Sequence, residues 1–237
     1  MSNSGLRSRR APGRTTNEAT LVRLARSGDD DAFAQIVRRY QGPLLGYCRS
    51  VLRNSADAED AVQLVFISAL RRLRVTTTPI DLRPWLFRIA HNRCISLIRS
   101  RREHGELDDR AWGTRDDPAP VPSGAEIRET LGEVVADVRR LPADQQAALV
   151  LSQVAGLSGA EVADVLACSG ARVRTLVHQA RSSLRADREA RSLSCTSVKS
   201  RIRAHAPLDR CLRRHLRLCE SCSAKAAAAR TPAGTRT

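Results

Sequence analysis

The apolar residues of this chain recur at every third or fourth position and nowhere alternate in twos, so it can form helices packed by one face and has no pattern for a sheet. Leu21, Val22, Leu24 and Ala25, then Phe33, Ile36, Val37 and Tyr40, then Leu44, Leu45, Tyr47, Cys48, Val51 and Leu52 carry this spacing. Gly28 and Asp29 to Asp31 punctuate it, the aspartates supplying an N-cap and a negative first turn. Asn54 and Ser55 break the pattern before a helix over 57–73 that is apolar nearly all round; such a helix sits centrally or carries a partner. Three β-branched residues and a proline make 76–79 a loop, after which Pro84 and Trp85 start a helix to about Arg102. Further helices are predicted at 126–140, 144–155, 158–167 and 171–190. The expected fold class is all-α.

The length of 237 residues suits one or two domains with a real core. Its longest apolar stretches, such as Ala147 to Leu151, fall far short of the roughly 18 residues that span a membrane. Residues 1–16 hold arginines but no apolar run of the secretory kind, so a cytoplasmic protein with no membrane partner is expected.

The net charge of +15 is concentrated at the ends. Residues 1–16 carry four Arg and no acid, and residues 190–237 carry eleven Lys or Arg against Asp209 and Glu220. Within the middle, 83–102 holds six Arg and no acid, whereas 103–137 holds ten acids against three Arg. A basic stripe followed by an acidic, Pro-rich link suggests a polyanion gripped by local surfaces, although solvated helix faces share such charge. The chain accordingly divides into a disordered basic arm (1–16), a helical domain (17–102), a linker (103–125), a second helical domain (126–189) and a C-terminal segment with tail (190–237).

The second domain has the form of a helix-turn-helix. Ser158 caps a short helix; Cys168, Ser169 and Gly170 make the turn; Val173, Leu176, Val177 and Ala180 hold the next helix in place. Arg172, Arg174, Thr175, His178 and Arg181 then point outward, a set able to bind phosphates and base edges in a major groove. An ordinary basic three-helix bundle is the alternative, and the tight turn with its polar outward set favours DNA.

Several blocks carry a family resemblance. Ala58 to Phe66 (AEDAVQLVF), Pro84 to Arg93 (PWLFRIAHNR), Leu141 to Gln146 (LPADQQ) and Gly156 to Ala163 (GLSGAEVA) resemble bacterial sigma-70 family factors of the extracytoplasmic-function (ECF) type over roughly residues 17–188. The resemblance implies an alternative sigma factor without a catalytic centre, built from a region 2 bundle, a linker in place of region 3 and a region 4 helix-turn-helix. It would bind RNA polymerase core and direct promoter recognition, DNA melting and transcription initiation. By the same resemblance Asp60, Gln63 and Phe66 would dock on the β′ coiled coil of polymerase, and Arg88, Asn92, Arg93 and Ser96 would read the −10 element. Loop 74–82 would hold a flipped base, helix 171–181 would enter the −35 element while region 4 faces the β-flap, and the linker would thread toward the RNA exit channel. The chain departs from the family at Leu64 and Val65, where an acid and a polar residue are usual, and at Ala171, Arg172, Leu176 and Gln179 of the recognition helix. For Trp85 and Phe87, core packing competes with base stacking.

Seven cysteines, four of them in the last 43 residues, do not form a disulfide scaffold. His215-x3-Cys219-x2-Cys222 is a compact half of a tetrahedral zinc site, and Cys195 can complete it, with Cys211 as a spare thiol or substitute ligand; a basic tail without metal and a pair of redox thiols are the alternatives. The order Cys195, His215, Cys219, Cys222 resembles the zinc finger of zinc-associated anti-sigma factors, in which the site clamps a helix pair. It implies regulation in cis, unless the segment's arginines simply strengthen promoter binding. A separate anti-sigma factor is a further expected partner. Two other readings remain at this point: a stand-alone helix-turn-helix regulator, which would bind its operator tightly without polymerase, and a zinc- or thiol-based sensor.

Overall fold

A computed structural model describes residues 17–103 and 125–230. The expected basic arm, most of the acidic linker and the extreme C-terminus lie outside them. The described residues form eleven helices and no strand.

Helices α1 (Glu18–Arg26), α2 (Asp30–Leu52), α3 (Ser55–Val75) and α4 (Leu82–Glu103) build the first bundle. The starts of α1 to α3 follow from short polar side chains that bond free amides of the first turn. Asn17 caps α1, Asp29 accepts from the amide of Ala32 at 3.0 Å and Asn54 from that of Asp57 at 3.2 Å. Pro43 lies inside α2, which runs unbroken through it. Edge-on rings tie the bundle together, Phe33 to Phe66 (centroids 6.4 Å apart) and Tyr47 to Phe87 (5.7 Å). Cys48 and Cys94 are buried in this core as small apolar residues.

Helices α5 (Ala125–Arg140), α6 (Ala143–Gln153), α7 (Gly159–Leu166) and α8 (Gly170–Arg191) follow. Ser158 and Glu161 form a capping box: the Ser158 amide donates to Glu161 Oε2 at 2.6 Å and the Glu161 amide to Ser158 Oγ at 3.3 Å. The turn between α7 and α8 differs from the sequence expectation. Gly170 is the first residue of α8, and the left-handed position is taken by Ala167 (φ 50°), with Ser169 capping α8.

The two helical domains share one apolar core. Ala148, Val150, Leu151, Leu157, Val162 and Val165 are continuous with the buried residues of α1 to α4, α6 lying on α2 and α7 on α4. Polar groups stitch the seam: Gln146 Nε2 donates to the carbonyl oxygen of Ser50 at 2.6 Å, and the Arg53 guanidinium donates to that of Arg139. Gly156 turns the chain between α6 and α7 at φ +65°, and a Cβ there would stand 3.4 Å from the Arg83 guanidinium of α4.

The C-terminal segment is three short helices rather than the expected pair: α9 (Cys195–Arg203), α10 (Arg210–Leu218) and α11 (Glu220–Arg230). Val198, Ile202, Leu212 and Cys222 form its own small core, and α10 packs on α8.

Candidate nucleic-acid interface and metal centre

Helix α8 is fixed on one side by buried Val173, Leu176 and Ala180. Arg172, Arg174, Thr175, His178 and Arg181 are all exposed on the other, so the structure brings this predicted set together. The Thr175 hydroxyl donates to the carbonyl oxygen of Ala171 at 3.1 Å, and Arg172 lies 3.7 Å from Asp144 of α6. Both are weak surface contacts that a phosphate can displace.

Helix α4 is held by Leu86, Phe87, Ala90 and Cys94, each fully buried. Arg88, Asn92 and Ser96 form an exposed stripe at four-residue spacing, which Arg99 extends. Arg93 departs from it: five residues after Arg88 it lies off the stripe, half-buried, its Nε enclosed without a hydrogen-bond partner among the described residues. Trp85 is half-buried against the core. The loop before α4 is tied down by Arg26, whose guanidinium donates to the carbonyl oxygens of Thr77 (3.4 Å) and Thr78.

On α3, Asp60 and Gln63 are exposed and share a face with Leu64 (38% exposed) and Ile67 (46%). Phe66 requires a correction. Six residues beyond Asp60 it is turned about a third of the way round the helix, is 8% exposed and packs on Phe33, so most of its ring lies in the core while Asp60 and Gln63 are exposed. The sequence signal for the outer face was Leu64 itself, an apolar residue where polarity was expected.

Cys195, His215, Cys219 and Cys222 converge with their ligand atoms all within 4.8 Å of one another. Cys195 Sγ is 3.7 Å from Cys219 Sγ and 4.0 Å from His215 Nε2. Ligands about 2.3 Å from a tetrahedral ion stand about 3.7 Å apart, so the donors fit a zinc-sized cation with little movement. Cys195 opens α9, and Cys219 and Cys222 flank the start of α11. The amide of Cys222 and the neighbouring thiols lower the Cys219 thiol to about 7, while burial pushes Cys222 up to about 11. His215 Nδ1 lies 2.8 Å from the carbonyl oxygen of Ala190, a bond that sets Nδ1 as donor and turns the Nε2 lone pair toward the sulfurs. Cys211 stands outside the cluster.

A helix-turn-helix with a polar recognition face, sharing a core with a bundle that presents a second polar stripe, defines a DNA-binding factor. Comparison with known proteins gives its kind. Residues 36–104 match the description Sigma-70 region 2, and residues 134–184 match Sigma-70, region 4. The RNA polymerase sigma factor NccH of Alcaligenes xylosoxydans xylosoxydans is 32% identical over 175 residues, covering 71% of this chain and 93% of its relative. The ECF RNA polymerase sigma factor SigM of Mycobacterium tuberculosis is 30% identical over 168 residues, covering 71% and 83%. The solved structure of CnrH in complex with the cytosolic domain of CnrY is similar at a TM-score of 0.55 and 28% identity, covering 71% of this chain and 95% of that one. The chain belongs to the sigma-70 family, as an ECF-type alternative sigma factor that directs transcription initiation. Helices α9 to α11 lie beyond the region 4 match. No described helix is long and apolar enough to cross a membrane.

Proposed function

We propose that this sigma factor reads and melts the −10 element with Arg88, Asn92 and Ser96 of α4, with Arg93 at the edge of that face, and enters the −35 major groove with Arg172, Arg174, Thr175, His178 and Arg181 of α8. The observation that carries this reading is the pair of exposed polar stripes on helices whose opposite sides are locked into one core. A rigidly backed helix holds side chains at fixed register against a groove, as base readout requires. Asp60, Gln63, Leu64 and Ile67 form the α3 face offered to the β′ coiled coil of polymerase core, and region 4 faces the β-flap. The loop tied to Arg26 receives the flipped base. The factor works in the cytoplasm beside polymerase, by binding and strand separation rather than bond chemistry. A separate anti-sigma factor is a further partner, by analogy with CnrH, which is seen with the cytosolic domain of CnrY.

The Cys195, His215, Cys219 and Cys222 cluster holds one zinc ion, which would supply structural cross-linking of α9, α10 and α11. The spacing of its donors and the Ala190 hydrogen bond support this. Like the zinc finger of zinc-associated anti-sigma factors, the module regulates its sigma domain, here in cis.

The test is run-off transcription with purified core, the full chain and a library of promoter fragments. Specific transcripts are expected, reduced at least tenfold by Arg88→Ala with Asn92→Ala and by Arg174→Ala with His178→Ala. Cys195→Ser with Cys219→Ser should lose the metal by atomic absorption and alter transcript yield. Tight operator binding without core, with no transcripts, would overturn the reading in favour of a stand-alone regulator.

A further inference from the structure

We propose that α10 is a second DNA-contacting helix, and that the cleft between α8 and α10 takes the sugar–phosphate backbone of duplex DNA beside the groove entered by α8. The inference rests on the reading of α8 as the −35 helix. The cleft encloses about 760 Å³ and is lined from α10 by Arg210, Arg213, Arg214 and Arg217 and from α8 by Ser182, Ser183 and Glu189, among others.

These arginines divide into two kinds. Arg214 is structural: it donates to the carbonyl oxygen of Ser183 at 2.7 Å and pairs with Asp187 at 3.3 Å, pinning α10 to α8. Arg210, Arg213 and Arg217 are exposed, and no ion pair among the described residues engages them. Their spacing of three and four residues places them in one row about 10 Å long on the helix. Asp209, at the N-cap of α10, is already occupied by the amide of Leu212 and by Arg201. Glu189 is the one acid lining the cleft, so the cleft carries a clear positive excess.

The register of α8 places this cleft on the DNA side. Ser182 and Glu189 follow Thr175 by seven and fourteen residues, close to two and four helical turns, so all three lie on one side of α8. At 1.5 Å per residue the 22 residues of α8 extend about 33 Å, whereas a major groove is about 12 Å wide. With the N-terminal half in the groove, the C-terminal half must leave across the bordering strand, and α10 lies along that half. The cleft lining includes no aromatic ring on which a base could stack, which favours a phosphodiester backbone over a nucleotide.

Phosphate contacts are sequence-independent and give salt-dependent binding, so the probe is a fluorescein-labelled mixed-sequence duplex of about 30 base pairs, bound to the full chain from 50 to 300 mM KCl. Arg210→Ala, Arg213→Ala and Arg217→Ala together should weaken binding and make the log K against log salt slope shallower by about 2 to 3, at about 0.9 per contact. Lys199→Ala, Arg203→Ala and Lys225→Ala remove the same charge outside the cleft and should change the slope by less than about 1. Equal effects of the two triple variants would overturn the proposal, as would loss of binding by Arg174→Ala with His178→Ala alone, which leaves the −35 reading standing. Loss by the cleft variant alone would sink the −35 reading and, with it, the placement of the cleft beside the groove entered by α8. Pyrophosphate binding abolished by the cleft triple, with an unchanged DNA slope, would reassign the cleft to a small phosphorylated ligand. Unchanged melting curves and metal content exclude misfolding of the variants.

Discussion

His215 Nδ1 lies 2.8 Å from the carbonyl oxygen of Ala190, so the Cys/His cluster is bonded directly to the C-terminal turn of α8, the second helix of the helix-turn-helix. Helices α9 to α11 have only four buried apolar residues in their own cluster, too few to hold three helices without a cross-link. Chelation of the proposed zinc ion should therefore open the module while leaving the sigma core intact. Brief trypsin digestion after chelator treatment is expected to cut at Arg213 and Arg217 and to spare the 18–98 bundle; His215→Ala should behave alike without chelator. Uniform protection with and without the ion would show that the cluster is no staple.

Asp137 binds the same end of α8 from α5. Its carboxylate is buried and accepts from Arg191 at 2.6 Å and from Arg140; burial alone would raise its pKa, but these hydrogen bonds outweigh it and hold the group below the usual carboxylate range. A depressed folded-state pKa means the contribution is complete above the unfolded value, about 3.9, and fades as pH falls through the folded value. The difference in unfolding free energy between the native chain and Asp137→Asn should be flat above about pH 5 and shrink toward zero in stronger acid. A difference that widens on acidification would contradict the assignment.

What the sequence disclosed and what it withheld divide along a physical line. Helix starts were legible where Asp29 and Ser158 bond their own first turns, an interaction written within three residues. The metal cluster was legible because a histidine one turn before a cysteine has few other geometries. The burial of Phe66 was not legible, because a helical angle about a third of a turn from Asp60 and next to Gln63 does not say that Phe33 covers the ring. The shared core was hidden, since the periodicity of Ala148, Leu151 and Val162 marks a buried face without saying what covers it. The αL position fell to Ala167 although a glycine stood three residues on, because the cap geometry of α8 fixes where the turn must close.

That shared core rests in part on Gln146, 2% exposed, whose amide crosses from α6 to the Ser50 carbonyl of α2. Truncation to alanine should cost about 1–2 kcal/mol, the range for a buried hydrogen bond. Gln153→Ala, on the exposed side of the same helix, should stay within about 0.5 kcal/mol. Urea midpoints at unchanged m-value provide the comparison. Equal midpoints for the two variants would mean the seam bond contributes nothing to stability.

Two residues one position apart on α3 divide between the core and the face proposed for docking. Phe66 is 8% exposed and edge-on to Phe33; Ile67 is 46% exposed and shares the outer face with Asp60, Gln63 and Leu64. Phe66→Ala leaves a cavity and should lower stability by about 3–5 kcal/mol, with core binding falling only as the folded fraction falls. Ile67→Ala opens no cavity and should leave stability within about 0.5 kcal/mol while weakening association with polymerase core, because an apolar residue near the centre of an interface carries more energy than one in water. The two effects are read together from thermal unfolding and from titration of fluorescent sigma factor with core. If Ile67→Ala binds core with native affinity, the exposed α3 face is not the docking surface; if Phe66→Ala unfolds at the native midpoint, the ring is not part of the core that holds α3 to α2.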